Sequence, residues 1–194
     1  MPNKRTRAIT QQEYYLLVNT IRKGYTSAEG VKVKPNVKVS TILVLQANLG
    51  LRISDAISLK QTDIIKEGNR YRLSITEQKT GKKREFTVPP EIYTYIQGYM
   101  LERGIKPTQP LFDFGIRAVQ KHLRITARHL GLDGIGTHSF RKFFCTEIYN
   151  NSSYNIDLCR ILMQHSTSAV TQRYIGIQPQ LIEQALANHI KLPS

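Results

Sequence analysis

One segment of the chain, residues 62–88, breaks a hydrophobic pattern that is helical nearly everywhere else. Its apolar side chains alternate along the chain at Tyr71, Leu73 and Ile75, and turn-forming residues stand on both sides of this run. Alternation between turns is typical of antiparallel strands joined as hairpins. The predicted strands span residues 62–66, 70–77 and 84–88. We therefore expect one small sheet.

The remaining segments have apolar residues at helical spacing. Thr10-Gln11-Gln12-Glu13 has the form of a capping box and predicts a first helix that ends before Gly24. Residues 25–38 are rich in Lys and contain Gly and Pro, which predicts an exposed basic loop. The further predicted helices cover residues 39–48, 90–103, 116–130, 137–150, 155–163 and 179–190, with short pieces from Ser54 and around Tyr174. We therefore predict a mainly α domain with a small three-stranded antiparallel sheet.

Length and composition limit the class of protein. The 194 residues suit one domain, and 40% hydrophobic residues are enough for a core. No apolar run follows the basic residues of the first ten positions, so we expect neither a signal peptide nor a membrane anchor. Cys145 and Cys159 lie in apolar helical stretches without the spacing of a zinc site or a disulfide framework. These features predict a reduced, cytoplasmic protein.

The chain is strongly basic. Lys and Arg total 28 against 14 Asp and Glu, which gives a formal net charge of +14. Such a charge attracts polyanions, so nucleic acid is the leading candidate partner. The alternative is a solvated basic surface without a partner, because net charge alone is weak support for nucleic-acid binding.

Six polar residues could together act on a phosphodiester: Arg52, Lys79, His138, Arg141, His165 and Tyr174. Attack by a phenolic oxygen needs cations on the phosphate oxygens, a proton donor for the leaving alkoxide and a fixed nucleophile. Arginine offers a planar fork of donors that holds two phosphate oxygens at once. His138 and Arg141 lie three residues apart at a predicted helix start, where free N–H groups favour an anion.

Each of these residues also has a plainer interpretation. Arg52 could form a salt bridge with Asp55, and the same carboxylate could orient Arg52 toward a cleft. Lys79 lies in a predicted hairpin turn, which is either solvated or in contact with DNA phosphates. Its basic neighbours are the other candidate DNA contacts: Lys82, Lys83 and Arg84. A lone histidine or tyrosine is more often a packing residue than a catalyst, so the prediction depends on the joint pattern.

In order and spacing, these residues resemble the tyrosine recombinase family of phage integrases and Xer-like enzymes. The matching stretches are Gly50-Leu51-Arg52-Ile53-Ser54-Asp55, Lys79 in its turn, Thr137-His138-Ser139-Phe140-Arg141, Leu162-Met163-Gln164-His165 and Arg173-Tyr174. The resemblance extends from about Thr10 to the end of the chain. It implies the fold of the catalytic domain of this family, whose members cut and rejoin DNA.

The resemblance also implies a mechanism. Tyr174 would attack one DNA strand and form a 3′-phosphotyrosyl link, with no metal or nucleotide cofactor. Arg52 and Arg141 would hold the nonbridging phosphate oxygens, and Lys79 would be the general acid. The sequence contains no glycine-rich phosphate loop and no acidic cluster suited to Mg²⁺.

Three further positions are assigned by the same resemblance, and a fourth departs from it. His138 would handle the proton of the tyrosine, and His165 would donate a hydrogen bond to the phosphate. Asp55 matches the acidic residue that commonly follows the first arginine. Gln164 departs from the family, which usually has glycine at this position, so the local turn is expected to differ.

Domain organisation and partners are expectations from the resemblance. We expect one catalytic domain over residues 1–194, with a basic segment at 1–9, a C-terminal helix and tail at 179–194, and no N-terminal core-binding domain. Double-stranded DNA would be the substrate, with a homotetramer on DNA, a monomer without it, and possible accessory DNA-bending proteins. The reaction could be integration, excision, inversion or dimer resolution. The alternatives are a type IB topoisomerase, which reseals the original strand, and a catalytically impaired DNA-binding regulator.

Overall fold

The computed structural model describes residues 6–27 and 30–175 of the chain, and within them it is mainly helical. The helices are α1 (Gln11–Lys23), α2 (Val37–Leu49), α3 (Ile53–Ser58), α4 (Pro90–Arg103), α5 (Ile116–His129), α6 (Thr137–Asn151), α7 (Ile156–Met163) and α8 (Ser168–Ile175). The strands are β1 (Tyr25–Thr26), β2 (Lys32–Val33), β3 (Ile64–Glu67), β4 (Arg70–Thr76) and β5 (Lys83–Val88). The predicted fold class is confirmed, and the predicted helix over 179–190 lies outside the described residues.

Helix α2 is the centre of the core. From Val39 to Leu49 its side chains are buried, apart from Val44 and Asn48, and it contacts α1, α3, α5 and α6. A helix that is apolar on nearly all sides is stable only when other elements surround it. In the described part of the chain, no helix is long and apolar enough to cross a membrane.

Gly50 ends α2 and sets the direction of the chain toward the candidate site. Its φ of 58° lies in the left-handed region. A Cβ atom at this position would collide with the ring of Phe144 in α6. Since both the backbone angle and the close contact exclude a side chain, glycine is needed here.

The three-stranded sheet has the order β3-β4-β5 and is antiparallel throughout. Leu73 of β4 and Val88 of β5 have no exposed surface and join the main core. On β4, the Tyr71 ring stacks on Tyr93 of α4 with centroids 3.8 Å apart. The sheet is therefore attached to the helical body, and the β4–β5 turn at residues 77–82 projects from one end of it.

The predicted loop over residues 25–38 is partly ordered as a small hairpin. Strands β1 and β2 pair with Tyr25 opposite Val33, and the Tyr25 ring stacks on His129 of α5 with centroids 4.1 Å apart. Helix α2 begins at Val37 rather than Val39, because the Asn36 side chain accepts a hydrogen bond from the Val39 N–H. Stacking on a residue a hundred positions away leaves no trace in local composition, which is why the sequence predicted a loop.

Candidate active site

Arg52 lies directly after the Gly50 turn, at the N-terminus of α3. Its guanidinium forms an ion pair with Glu77, the first residue of the β4–β5 turn, and its side chain is 16% exposed. The alternative interpretation of Arg52, a salt bridge with Asp55, is not supported, since the partner of Arg52 is Glu77. The Asp55 carboxylate instead accepts a hydrogen bond from the Gln78 N–H at 3.0 Å. Asp55 thus holds the β4–β5 turn against α3 and does not orient Arg52 directly.

Arg141 lies in the first turns of α6 and is almost completely buried. Its guanidinium donates to the carbonyl of Gly50 and, at 2.8 Å, to the carbonyl of Met163 at the end of α7. Burial and the positive charge of Arg52 lower the pKa of Arg141, while the Tyr174 hydroxyl raises it. Arg141 is thus bonded to the backbone just before Arg52 and just before His165, and the His165 ring lies 4.6 Å from that of Tyr174, so the two guanidinium groups and the phenol lie around one cleft.

His138 lies in the first turn of α6 with its side chain exposed. Partial desolvation and the positive charges of Arg141 and Lys79 lower the pKa of His138. The imidazole is therefore neutral at pH 7, and a neutral imidazole is able to accept a proton.

Gln164 ends α7 in the left-handed conformation, with φ 51° and ψ 39°. This is the conformation that glycine adopts most easily, so the turn expected to differ keeps a glycine-like backbone. The Gln164 side chain donates to the Lys83 carbonyl of β5 at 2.6 Å. This hydrogen bond helps to offset the cost of a left-handed non-glycine residue, which is about 1–2 kcal/mol.

His165 follows this turn and faces Tyr174. Its Nδ1 lies 3.1 Å from the Thr171 hydroxyl of α8, and its ring centroid lies 4.6 Å from that of Tyr174. Burial and the positive charges of Arg141 and Arg52 lower the pKa of His165 to about 4. His165 is thus a neutral hydrogen-bonding group at pH 7, not an additional cation.

Tyr174 lies on α8, the short helix that the sequence predicts around it. Its ring packs, partly buried, on a small second core of Phe144, Cys145, Cys159 and Met163. The Lys142 ammonium lies 5.8 Å from the Tyr174 ring centroid. The small apolar core and the Lys142 ammonium therefore both help to fix the ring of Tyr174.

The β4–β5 turn carries the predicted basic residues. Lys79, Lys82 and Lys83 are exposed, as expected for groups that contact a large polyanion. The Lys83 ammonium pairs with Glu85 at 2.8 Å. Glu77 and Gln78 of the same turn contact Arg52 and Asp55, so the turn lies beside the candidate site.

The predicted role of Arg84 as a DNA contact is wrong. Its side chain is only 1% exposed, and its guanidinium donates to three backbone carbonyls, those of Leu49, Gly50 and Leu162. In a strand, alternate residues share one face, and Arg84 shares the inward face of β5 with Phe86 and Val88. That alternation is visible in the sequence and would have placed Arg84 inside.

Two features of the structure did not enter the sequence predictions. The first is Glu77, which pairs with Arg52. The second is a stripe of exposed cations along one face of α5, formed by Arg117, Lys121, Arg124 and Arg128. Their spacing of three and four residues is regular enough to have been read from the sequence.

The chain is similar in sequence to known proteins. Residues 7–180 match the model of the Phage integrase family. The chain is 34% identical over 146 residues to "Probable integrase/recombinase YoeC" of Bacillus subtilis (strain 168), covering 70% of this chain and 76% of that protein. It is 26% identical to "Tyrosine recombinase XerC" of Bradyrhizobium diazoefficiens over 158 residues, covering 77% of this chain and 49% of that protein.

Solved structures show the same likeness. A post-cleavage complex of the XerH site-specific recombinase with its palindromic difH substrate matches with a TM-score of 0.74 and 20% identity, covering 96% of this chain and 54% of that chain. The catalytic domain of bacteriophage HP1 integrase matches with a TM-score of 0.64 and 20% identity, covering 95% of this chain and 96% of that domain. At this identity the likeness shows the fold alone, and the chain spans about half the length of the XerC and XerH proteins.

Proposed function

This chain belongs to the phage integrase family, and we propose that it is a site-specific recombinase that cuts and rejoins double-stranded DNA through a 3′-phosphotyrosyl intermediate. The observation that carries the proposal is the grouping of Arg52, Arg141 and Tyr174 around one cleft, which the hydrogen bonds of Arg141 and the contact between His165 and Tyr174 define. Two guanidinium groups beside a phenol provide an anion site next to a nucleophile. The net charge of +14 fits a polyanionic substrate.

In the proposed reaction, the Tyr174 oxygen attacks phosphorus, and the bond from phosphorus to the 5′ oxygen breaks. Arg52 and Arg141 stabilise the charge that develops on the nonbridging oxygens. His138 accepts the phenolic proton, and Lys79 protonates the departing 5′ oxygen. His165, neutral at pH 7, donates a hydrogen bond from its ring N–H to the phosphate. A 5′-hydroxyl of another duplex then attacks the phosphotyrosine and reverses these steps.

Strand exchange between two duplexes needs four active sites, so we propose that four subunits assemble on DNA and that the free protein is a monomer. The exposed stripe of α5 and the β4–β5 turn are the proposed contacts with DNA phosphates.

A nicked suicide duplex tests the proposed chemistry. Cleavage beside the nick releases a short fragment, which diffuses away, so the protein remains covalently attached to the DNA. We expect a protein–DNA adduct that survives denaturation and a free 5′-hydroxyl on the released fragment. Binding without an adduct would favour the regulator. Relaxation of a supercoiled plasmid without exchanged strands would favour the topoisomerase.

The pH dependence of cleavage tests the role of His138. The pKa of His138 in the folded protein lies below its ordinary value of 6.5, so the neutral, proton-accepting form still predominates at pH 6.5. At subsaturating protein, the cleavage rate constant is expected to fall at low pH along an acid limb centred below pH 6.5. His138→Asn should cleave DNA slowly, and its cleavage rate constant should not show this acid limb. A limb centred above pH 6.5 in the unaltered protein would contradict the assignment.

DNA affinity tests the role of the β4–β5 turn. Lys82→Ala is expected to weaken binding about equally for all duplex sequences and to reduce the slope of log affinity against log salt by about 1. The measurement is a set of binding isotherms at several salt concentrations. The control is Lys66→Ala, an exposed lysine near the other end of the sheet. An unchanged salt slope in Lys82→Ala would place the DNA elsewhere.

A further inference from the structure

The candidate site contains an acidic residue for which the proposed chemistry has no role. Glu77 is fully buried, and its carboxylate lies between two arginines. It forms an ion pair with Arg52, and its second oxygen lies 3.6 Å from Nη1 of Arg84. The Thr80 hydroxyl donates to the same carboxylate at 2.7 Å. Burying a carboxylate costs free energy, and only cations and hydrogen-bond donors around the charge offset this cost.

The arginines around Glu77 repel one another. Burial and the positive charge of Arg141 lower the pKa of Arg84 to about 9. Burial and the positive charge of Arg52 likewise lower the pKa of Arg141. Burial raises the pKa of Glu77, but its hydrogen bond with Arg52 and its other partners hold that pKa below the usual value. Glu77 is therefore ionised at pH 7, and its negative charge offsets the repulsion among three guanidinium groups.

The backbone of Glu77 also closes the turn that carries Lys79. Its N–H donates to the Lys82 carbonyl at 3.0 Å, and its carbonyl accepts from the Gly81 N–H at 2.9 Å. With the Thr80 hydroxyl bound to its side chain, the residue is fixed to the turn at three points. The same carboxylate thus connects the guanidinium of Arg52 to the turn of Lys79.

We propose that Glu77 is a positioning residue for DNA cleavage, which holds Arg52 in the cleft and fixes the turn that presents Lys79. Arg84 extends this arrangement. Its guanidinium pairs with Glu77 and donates to the carbonyls of Gly50 and Leu162. These two carbonyls shortly precede Arg52 and His165 in the chain. Glu77 does not contact the phosphate, since two negative groups repel. The inference rests on the function proposed above.

The test compares Glu77→Gln with the unaltered protein on the nicked suicide duplex, at saturating protein and in a single turnover. Glutamine keeps the shape and removes the charge. The cleavage rate constant is expected to fall about 100-fold, because misplacement of reacting groups by about 1 Å has that effect. The dissociation constant for DNA should stay equal or become lower, since a negative charge is lost. Glu77→Asp keeps the charge and should recover part of the rate.

Glu85→Gln is the matched control, because Glu85 lies on β5 of the same hairpin, is exposed and pairs with Lys83 and Arg72. Its cleavage rate constant should stay within about twofold of the unaltered protein. The inference is overturned if folded Glu77→Gln cleaves at the unaltered rate, or if its slower cleavage disappears at saturating protein. If Glu77→Gln does not fold, Glu77→Asp decides, and a folded Glu77→Asp with full activity overturns the inference.

A duplex with sulfur in place of the bridging 5′ oxygen separates the two actions of Glu77. A thiolate leaves without a proton, so this substrate makes Lys79 dispensable. Lys79→Ala should approach the unaltered rate on it, whereas Glu77→Gln should keep the part of its deficit that arises through Arg52. Complete recovery of Glu77→Gln would overturn the role toward Arg52. If the unaltered protein forms no adduct on either substrate, the proposed function fails and this inference fails with it.

Discussion

Tyr174→Phe is expected to abolish the covalent adduct on a nicked duplex, with a loss of roughly 10⁴-fold or more, to the background of the assay. The substitution removes the phenolic oxygen that is the proposed nucleophile. It leaves the ring on its apolar base of Phe144 and Met163 and near the Lys142 ammonium. The thermal midpoint and the dissociation constant for DNA should therefore change little. The adduct is measured on a denaturing gel after incubation with end-labelled duplex.

The control for this experiment is Tyr149→Phe. Tyr149 packs, partly buried, against the same small core but lies on α6. It should form the adduct at the unaltered rate. An adduct that persists in Tyr174→Phe would identify another nucleophile. Equal losses in both variants would show that packing of the small core, not the Tyr174 oxygen, controls cleavage.

The fold could be predicted because its signals are local. Helical spacing, the capping box at Thr10 and the alternation around Leu73 each depend on neighbours within one element, and the structure confirms all three. The hairpin of β1 and β2 could not be predicted, because the ring of His129 in α5 stabilises it. Ordering of a short polar segment by a distant partner overrides its local preference for a loop.

The site could be predicted as a set of residues but not as a network. Motif order singled out Arg52, Arg141 and Tyr174, yet neither spacing nor composition indicates which carboxylate faces which arginine. Asp55 was the nearer acid in the sequence, whereas Glu77 became the partner because β4 ends beside α3. The lysines that precede Arg84 predict a surface residue, although strand alternation turns Arg84 inward. Such pairings depend on how elements pack.

Arg141→Lys is expected to lower the single-turnover cleavage rate constant by about 10²- to 10³-fold at saturating DNA. Arg141 donates to the carbonyls of Gly50 and Met163 while it lies beside Arg52 and Tyr174. An ammonium cannot reproduce the planar fork, so it cannot bind both carbonyls and a phosphate. A buried carbonyl would lose its donor, and the free energy of unfolding should fall by about 1–3 kcal/mol. Urea unfolding measures this loss.

Arg160→Lys separates the special position of Arg141 from a general effect of replacing arginine. Arg160 lies on α7 and pairs with Asp157 at 3.2 Å, in a bridge exposed enough to contribute little to stability. Its rate constant and unfolding free energy should stay near those of the unaltered protein. If Arg141→Lys kept its stability and lost only cleavage, the carbonyl contacts would be dispensable and the guanidinium would act on the phosphate alone. If Arg141→Lys lost stability and kept its cleavage rate, the role of Arg141 would be structural, to connect the ends of α2 and α7. Arg52 would then form the anion site without Arg141.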